Sequence, residues 1–363
     1  MINASGDSYY SELRHELAAK PRTWLITGVA GFIGSNLLEE LLTLGQHVIG
    51  LDNFSTGYQA NIDDVLALPS SRKGTFRLIR GDIRDVQVCR SACQGADYVL
   101  HHAALASVPH SIDDPILSNA VNVTGFLNVL LAAHEARVKR VVYASTCAIY
   151  GDTPDVPLRE TSIGAPLSPY AATKQANEIY ASVFQRLYGL QLTGLRYFNI
   201  FGPRQDPNGA YAAVIPKWIA NLLSGERCEI HGDGETSRDF CHVANVTQAN
   251  LLAATSDRTS DTTDIYNVAY GQETTLNELF RMIRLGLVGY QPAMAATFPA
   301  YGPFREGDIR RSGADITKIR QHLEYTPTHT IAQGLSQTLE WYVEHSPKGA
   351  LEGEERNAVA ALG

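Results

Sequence analysis

Over its first two hundred or so positions the chain alternates short, unbroken apolar runs with longer stretches whose apolar residues recur every three or four positions. The first run is Trp24-Leu25-Ile26, and the first periodic stretch puts Leu37, Leu38, Leu41 and Leu42 on one helical face. Further runs at 47–51, 76–80, 98–101, 140–144 and 192–197 predict strands, and periodic stretches at 84–93, 115–136 and 169–187 predict helices between them. Unbroken apolar runs suit strands buried on both faces. Their alternation with helices predicts an α/β fold, a Rossmann-like doubly wound parallel sheet, with a smaller C-terminal substrate lobe. An amphipathic helix over 9–17, set off by Pro21, precedes the first strand. Beyond about residue 200 prolines and glycines multiply, as in Gly202-Pro203-Arg204-Gln205-Asp206-Pro207-Asn208-Gly209, and loops and short helices are expected, with a strand over 264–269 rejoining the sheet. The expected organisation is an N-terminal helical extension at 1–20, a dinucleotide-binding domain at 21–200 to which 240–270 returns, a lobe at 201–345 that mainly serves the substrate, and a polar tail at 346–363.

Between the first strand and the first periodic helix lies Thr27-Gly28-Val29-Ala30-Gly31-Phe32-Ile33-Gly34. Strand, glycine-rich turn and helix is the context in which glycines at such spacing bind a dinucleotide. Gly28 allows the tight turn, Gly31 lets backbone N–H groups approach a pyrophosphate, and Gly34 lets the helix pack on the strand. The helix N-terminus offers unpaired donors and a partial positive charge to the phosphates. The second apolar run ends in Asp52, eighteen residues past Gly34. A carboxylate there can accept hydrogen bonds from both ribose hydroxyls and repels a 2′-phosphate, so the expected cofactor is NAD rather than NADP. Asp82 closes the third strand, where it could reach an adenine amino group, and the small Ala103 and Ala104 close the fourth, where the cofactor could lie against the backbone.

Composition alters this picture little. The 363 residues are 44% hydrophobic and 19% charged, which is ordinary for a globular protein of one large domain and a smaller lobe. A formal net charge of -8 gives no electrostatic reason to expect nucleic acid, so an anionic substrate needs locally placed arginines. Cys89, Cys93, Cys147, Cys228 and Cys241 are too few and scattered for a disulfide framework or a zinc site, and no metal is expected. No signal peptide and no apolar segment approaching a membrane span stand out, and a reducing cytoplasm is the expected location.

The second chemical signal is Tyr170-Ala171-Ala172-Thr173-Lys174 after a helix-starting Pro169. Tyr170 and Lys174 at i and i+4 share a helix face. An ammonium nearby favours the phenolate and lowers the tyrosine's pKa toward that of a usable base. A third member is expected at the end of the fifth strand, in Ser145-Thr146-Cys147-Ala148-Ile149-Tyr150-Gly151, where a hydroxyl would hold the substrate oxygen.

Gly28, Gly31, Gly34, Asp52, the strand-end Ser145-Thr146, Tyr170 and Lys174 together resemble the extended short-chain dehydrogenase/reductase family. Within it the chain resembles nucleotide-sugar epimerases, most closely the UDP-N-acetylglucosamine 4-epimerases of bacterial surface-polysaccharide pathways, over roughly residues 9–345. The resemblance implies that Thr146, Tyr170 and Lys174 are catalytic, with Ser145 or Thr146 meeting the sugar. It implies that Phe32, Ile33, Asn53, Ser55, Thr56, Gly57, Ile83 and Asn122 join the cofactor site. Arg238 and Arg305 would hold the diphosphate of a UDP-sugar, a bidentate task suited to guanidinium. Asp308 would hold the uridine ribose and Asn199 the sugar-phosphate linkage, while Ser107, Ala213 and Val214 would line the substrate. Ser312 matches a position where a bulky residue excludes a 2-N-acetyl group and a small one admits it; it could equally cap a helix.

The same resemblance discriminates between reactions. Sugar-nucleotide 4,6-dehydratases carry an Asp-Glu pair where this chain has Cys147 and Ala148, and the related decarboxylases carry a Glu at the position of Ala148. The expected reaction is therefore NAD-dependent C4 epimerisation of UDP-N-acetylglucosamine and UDP-N-acetylgalactosamine through a transient 4-keto sugar. Alternatives are 4-epimerisation of UDP-glucose or UDP-uronic acids, and a non-catalytic NAD-sensing regulator, which typically loses the Tyr or the Lys kept here. The resemblance also implies a homodimer packed through helices at 113–136 and 168–188, with no nucleic-acid or membrane partner.

Overall fold

The computed structural model describes residues 8–153, 155–208, 212–258, 264–304 and 309–346. Helix α1 (Tyr9–Ala19) leads into strand β1 (Thr23–Thr27), then α2 (Phe32–Thr43), β2 (His47–Asp52), α3 (Gln59–Ala67), β3 (Thr75–Arg80), α4 (Val86–Cys93) and β4 (Tyr98–His101). Next come α5 (Val108–Asp113), α6 (Pro115–Asn119), α7 (Gly125–Glu135), β5 (Arg140–Thr146), α8 (Pro169–Tyr188) and β6 (Leu192–Tyr197). The C-terminal part contains β7 (Ile200–Phe201), α9 (Val214–Ser224), β8 (Glu229–His231), β9 (Ser237–Asp239), β10 (Cys241–His242), α10 (Val243–Thr255) and β11 (Asp264–Val268). It ends with β12 (Glu273–Thr275), α11 (Leu276–Leu287), β13 (Ala300–Gly302), β14 (Arg311–Ser312), α12 (Thr317–Leu323) and α13 (Ile331–Glu344).

Seven parallel strands form the main sheet in the order β11-β6-β5-β4-β1-β2-β3. This is the Rossmann-like α/β sheet expected from the apolar runs. The chain reverses direction across the sheet between β1 and β4, and a crevice at the C-terminal strand ends at such a point is where ligands bind. Trp24, Leu25 and Ile26 of β1 are fully buried because both faces are covered. One face packs on α2 and α10, with Leu37, Leu41, Val246 and Leu252 in its core. The other packs on α4, α7 and α8, with Phe126, Leu130 and Ala181.

Helix α1 closes one side of the first core through Tyr10, Leu13 and Leu17. Gln46 ties it down: its Nε2 donates to the Leu17 carbonyl at 2.8 Å while its Oε1 accepts from the Trp24 indole at 3.1 Å.

Two expectations are corrected. The run Pro115–Glu135, 21 residues with mean hydropathy 1.6, does have the length and apolarity of a membrane-crossing helix. Its apolarity has another cause: Phe126, Val129, Leu130 and Ala133 are buried in the core under the sheet. The region beyond residue 200 is also more ordered than loops and short helices. Its α9, α11 and α13 bury Trp218, Ile219, Phe280, Ile283 and Leu339 in a third core. Ile215, Trp218, Ile219 and Leu222 share one face of α9, and a capping box of Thr275 and Glu278 starts α11. Arg204, nearly fully buried, fastens the start of this region to the main body by ion pairs with Glu39 of α2 and Asp64 of α3.

Candidate active site

The glycine turn leaves β1 through Gly28, whose φ of 74° lies in the left-handed region that favours glycine. A Cβ there would stand 2.7 Å from the Ala103 nitrogen, so a side chain would collide with the backbone just after β4. At Gly34 a Cβ would collide with the Gly28 carbonyl oxygen. Gly31 starts α2 with no side-chain cap, which leaves first-turn N–H groups for an external acceptor. Asp52 braces the same turn. Its Oδ2 accepts from the Ala30 N–H and its Oδ1 from the Phe54 N–H, both at 2.8 Å. Burial raises its pKa above the ordinary carboxylate value, against the pull of those donors. Each oxygen keeps acceptor capacity for a ribose hydroxyl.

These residues line a cleft of about 340 Å³ with Phe32, Ile33, Asn53, Ser55, Thr56, Gly57, Ile83, Ala103 and Ala104. Its inner end is made by Ser145, Thr146, Tyr170 and Lys174. The residues fit a dinucleotide: a side-chain-free cradle at an uncapped helix start, and a braced carboxylate at the second strand end. NAD would be held by the turn and Asp52, and would supply a hydride acceptor at the inner end.

Two residues expected in the cofactor site stand outside the cleft lining. Asp82 is engaged by Arg84 at 2.7 Å and by the Asn53 amide at 2.9 Å, and the Arg84 contact holds its pKa down to about 2. Asn122 is buried behind the wall. It accepts from the Leu105 N–H at 2.8 Å and donates to Thr173 Oγ1 at 3.1 Å, so it fixes the loop after β4. His102, Val121, Tyr197 and Ile200 line the cleft although no sequence signal marked them. The His102-Tyr197 hydrogen bond of 2.9 Å was not legible, because it joins residues of different strand ends.

Ser168 caps α8 by accepting from the Ala171 N–H at 3.2 Å, and the helix presents Tyr170 and Lys174 to the cleft. Lys174 is 2% exposed, and burial lowers its pKa to about 8. Its Nζ donates to the Ala144 carbonyl at 2.9 Å and lies 6.0 Å from the Tyr170 ring centroid. Tyr170 departs from expectation. Although its side chain is only partly buried, desolvation by the surrounding protein pushes its pKa up to about 12, and the lowering influence comes from a hydrogen bond with Thr146. The ammonium is committed to a backbone carbonyl instead. At β5, Ser145 donates to Glu178 at 2.6 Å, while Thr146 accepts from the Ala148 N–H at 3.1 Å and faces Tyr170.

A second cleft of about 270 Å³ adjoins the first and is lined by Cys147, Ala148, Asn199, Arg238 and Ser312. Ser312 lies in β14, paired in register with Arg238 of β9, and is no helix cap: α12 begins five residues later, after Ile316. Asn199 has φ 38°, a conformation asparagine tolerates better than most residues, and its Nδ2 donates to the Asp239 carbonyl at 3.0 Å. Burial raises the Cys147 thiol to about 11. Ser107 caps α5, accepting from the His110 N–H at 3.2 Å, between the cleft-lining Ala106 and Val108. Ala213 is the N-cap of α9 and Val214 its first residue; neither lines the two clefts. Arg305 and Asp308 lie outside the described residues.

A doubly wound sheet with a glycine cradle at its switch point and a Tyr-Lys pair at the inner end of the cleft defines a dinucleotide-dependent enzyme of the α/β class. Residues 24–269 match the model of the NAD dependent epimerase/dehydratase family, and the chain belongs to that family. It is 36% identical over 320 residues to a UDP-glucose 4-epimerase of Mycolicibacterium smegmatis, covering 88% of this chain and 97% of that one. Among solved structures it is similar to a UDP-N-acetylglucosamine 4-epimerase from Methanobrevibacter ruminantium in complex with UDP-N-acetylmuramic acid, with 37% identity, a TM-score of 0.81, and coverage of 90% of this chain and 100% of that one. A Thermus thermophilus UDP-glucose 4-epimerase in complex with NAD is 34% identical, with a TM-score of 0.75 and coverage of 89% and 100%.

Proposed function

We propose that the protein is a UDP-sugar 4-epimerase that interconverts UDP-N-acetylglucosamine and UDP-N-acetylgalactosamine. The observation that carries the substrate choice is Ser312, a small side chain opposite Arg238 at the second cleft. A hydroxymethyl group there leaves room beside a sugar's 2-substituent. The same cleft carries Cys147 and Ala148, with no carboxylic acid at either position to drive elimination of water. UDP-glucose and UDP-uronic acids are the competing substrates.

The glycine turn and Asp52 would hold NAD, which would supply reversible hydride acceptance at C4 of the sugar, by way of a 4-keto sugar. Tyr170 takes the proton of the 4-hydroxyl and later returns it. Its pKa of about 12 must fall for this role, and Lys174, which titrates at about 8 and so changes charge close to neutral pH, stands ready to supply positive charge. Thr146 holds the sugar oxygen, because the Ser145 hydroxyl is already given to Glu178. Arg238 and Arg305 keep the diphosphate anchored while the keto sugar turns, and Asn199 steadies the linkage. We infer that residues 21–200 and 240–270 serve the cofactor and 201–345 mainly the sugar, in a reducing cytoplasm where the five thiols stay free.

We also infer a homodimer. Ile112, Ile116, Ile179 and Leu187 are between 60% and 81% exposed on the outer faces of α5, α6 and α8. A second copy covering this face would remove them from water; sedimentation at a single-chain mass across micromolar concentrations would reject it. The catalytic assignment is tested by Tyr170→Phe. Turnover should fall by about 10³-fold or more with UDP-sugar binding within a few-fold of wild type. A variant that turns over at near the wild-type rate contradicts Tyr170 as the base.

A further inference from the structure

Three residues of α8 one turn apart face three consecutive residues at the end of β5. Tyr170 stands opposite Thr146, Lys174 is bonded by the Ala144 carbonyl at 2.9 Å, and Glu178 by the Ser145 hydroxyl at 2.6 Å. The third rung is the one with no part in the proposed chemistry, and it is the most heavily built. Arg196 of β6 is 1% exposed and meets Glu178 bidentately, Nε to Oε1 at 2.9 Å and Nη2 to Oε2 at 2.7 Å. Its Nη1 donates to the Tyr150 hydroxyl and to the Glu160 carbonyl, both at 3.0 Å. Tyr150 in turn donates to Asn267 of β11 at 2.5 Å.

We propose that the buried Glu178–Arg196 pair is a positioning element of the active site, which clamps the end of β5 to α8 and keeps the ground beneath Tyr170 and Lys174 electrically neutral. The inference rests on the catalytic assignment of Tyr170. A buried ion pair is a poor device for stability alone, since apolar residues of like volume often do as well. Here it does two things an apolar pair could not. It holds Ser145 away from the sugar, leaving Thr146 as the strand-end hydroxyl in the cleft. It also presents Glu178 with its charge cancelled one turn from Lys174. Unpaired, that carboxylate would hold the ammonium proton more tightly and oppose a phenolate at Tyr170.

The other titratable groups around Tyr170 and Lys174 keep their charge state through the neutral range. His101 and His102 of β4 are held neutral by burial, His102 down to about 3. Burial keeps Tyr143 of β5 and Tyr197 of β6 protonated, and the Cys147 thiol stands near 11. Asp239 of β9, beside Cys147 and Arg238, is the exception: burial raises its carboxyl to about 7. A pH dependence in that range is therefore assigned to Tyr170, Lys174 and the pair below them from the differences between variants, in all of which Asp239 is unchanged.

The test uses the holoenzyme and three variants. Arg196→Met should shift the acid limb of kcat upward by about one pH unit or more. It should lower kcat at neutral pH by about tenfold, with KM for the UDP-sugar within about threefold. Glu178→Gln, which leaves the guanidinium unopposed, should shift the limb downward, and the double variant should return it to near the wild-type midpoint. A second readout needs no turnover: the phenolate absorbance of Tyr170, taken as the difference between each variant and its Tyr170→Phe counterpart, should move in the same directions. If Arg196→Met does not fold, Glu178→Gln carries the test alone. Folded, NAD-loaded variants with unmoved midpoints overturn the inference while leaving the function intact. A fully active Tyr170→Phe enzyme overturns the catalytic assignment instead.

Discussion

The two clefts, one lined by Thr146 and the other by its neighbour Cys147, are built in opposite ways. The cofactor cleft draws its turn, its helix start and its carboxylate from one strand–helix–strand unit, between Thr23 and Asp52. The features there have backbone causes: Gly28 because the segment after β4 comes close, Gly34 because the turn's own carbonyl fills the space, Asp52 because it braces Ala30 and Phe54. The sugar cleft takes Cys147, Asn199, Arg238 and Ser312 from four distant parts of the chain, joined by short strands such as β9 and β14. The first is fixed by backbone geometry and tolerates little change. The second depends on side-chain volume and charge brought together from distant parts of the chain.

Substitutions should divide along that line. The largest effect belongs to Gly34→Ala, where the added methyl meets backbone rather than a movable side chain. It should destabilise the protein by about 3 kcal/mol or more and abolish co-purification of NAD, read by thermal unfolding and by the absorbance of released cofactor. A normally stable, NAD-loaded Gly34→Ala protein would show that the cradle is not the tight structure described.

Ser312→Tyr comes next and acts on the other side. It should cut kcat/KM for acetylated UDP-sugars by about 10–100-fold, leave UDP-glucose within a few-fold, and leave NAD content unchanged. Equal losses on both substrates would mean that Ser312 does not gauge the 2-substituent.

The smallest effect is expected away from both clefts. Asp64 pairs with Arg204 at 2.8 Å and with His345 of the C-terminal region at 3.1 Å. The His345 hydrogen bond is the main cause holding the Asp64 carboxyl well below the usual range, and the same bond raises His345. A depressed acid stabilises the fold above its unfolded pKa, near 4, and loses that contribution as pH falls. A raised histidine stabilises it below its unfolded pKa, near 6.5, and loses that as pH rises through the folded value. Asp64→Asn should therefore lower Tm by about 2–4 °C, most between about pH 4 and 6.5 and less on either side, without altering turnover. A Tm loss that grows steadily toward alkaline pH would rule out the histidine's share.

The contrast also explains what could be seen in the sequence. The main sheet was legible because strands covered on both faces must be apolar throughout, and the glycine turn because its spacing is local. Tyr170 and Lys174 were legible as an i, i+4 pair. The helices α9, α11 and α13 went unrecognised beneath the many prolines and glycines around them, although the spacing of Ile215, Trp218, Ile219 and Leu222 carried the signal. The apolar character of Pro115–Glu135 reflects burial against the sheet, a tertiary property. The partnership of Glu178 with Arg196, and the withdrawal of Ser145 that follows from it, joins a helix to two strands and has no local signature at all.

The most direct measurement of the central claim is the conversion of UDP-N-acetylglucosamine carrying deuterium at C4, followed by NMR and mass spectrometry with the purified, NAD-loaded protein. The account predicts UDP-N-acetylgalactosamine as product, with the deuterium kept at C4 and none lost to solvent, at a rate exceeding that with UDP-glucose or UDP-glucuronate. No conversion of the acetylated sugar alongside turnover of one of the others, or a product that has exchanged its C4 label with water, would contradict it.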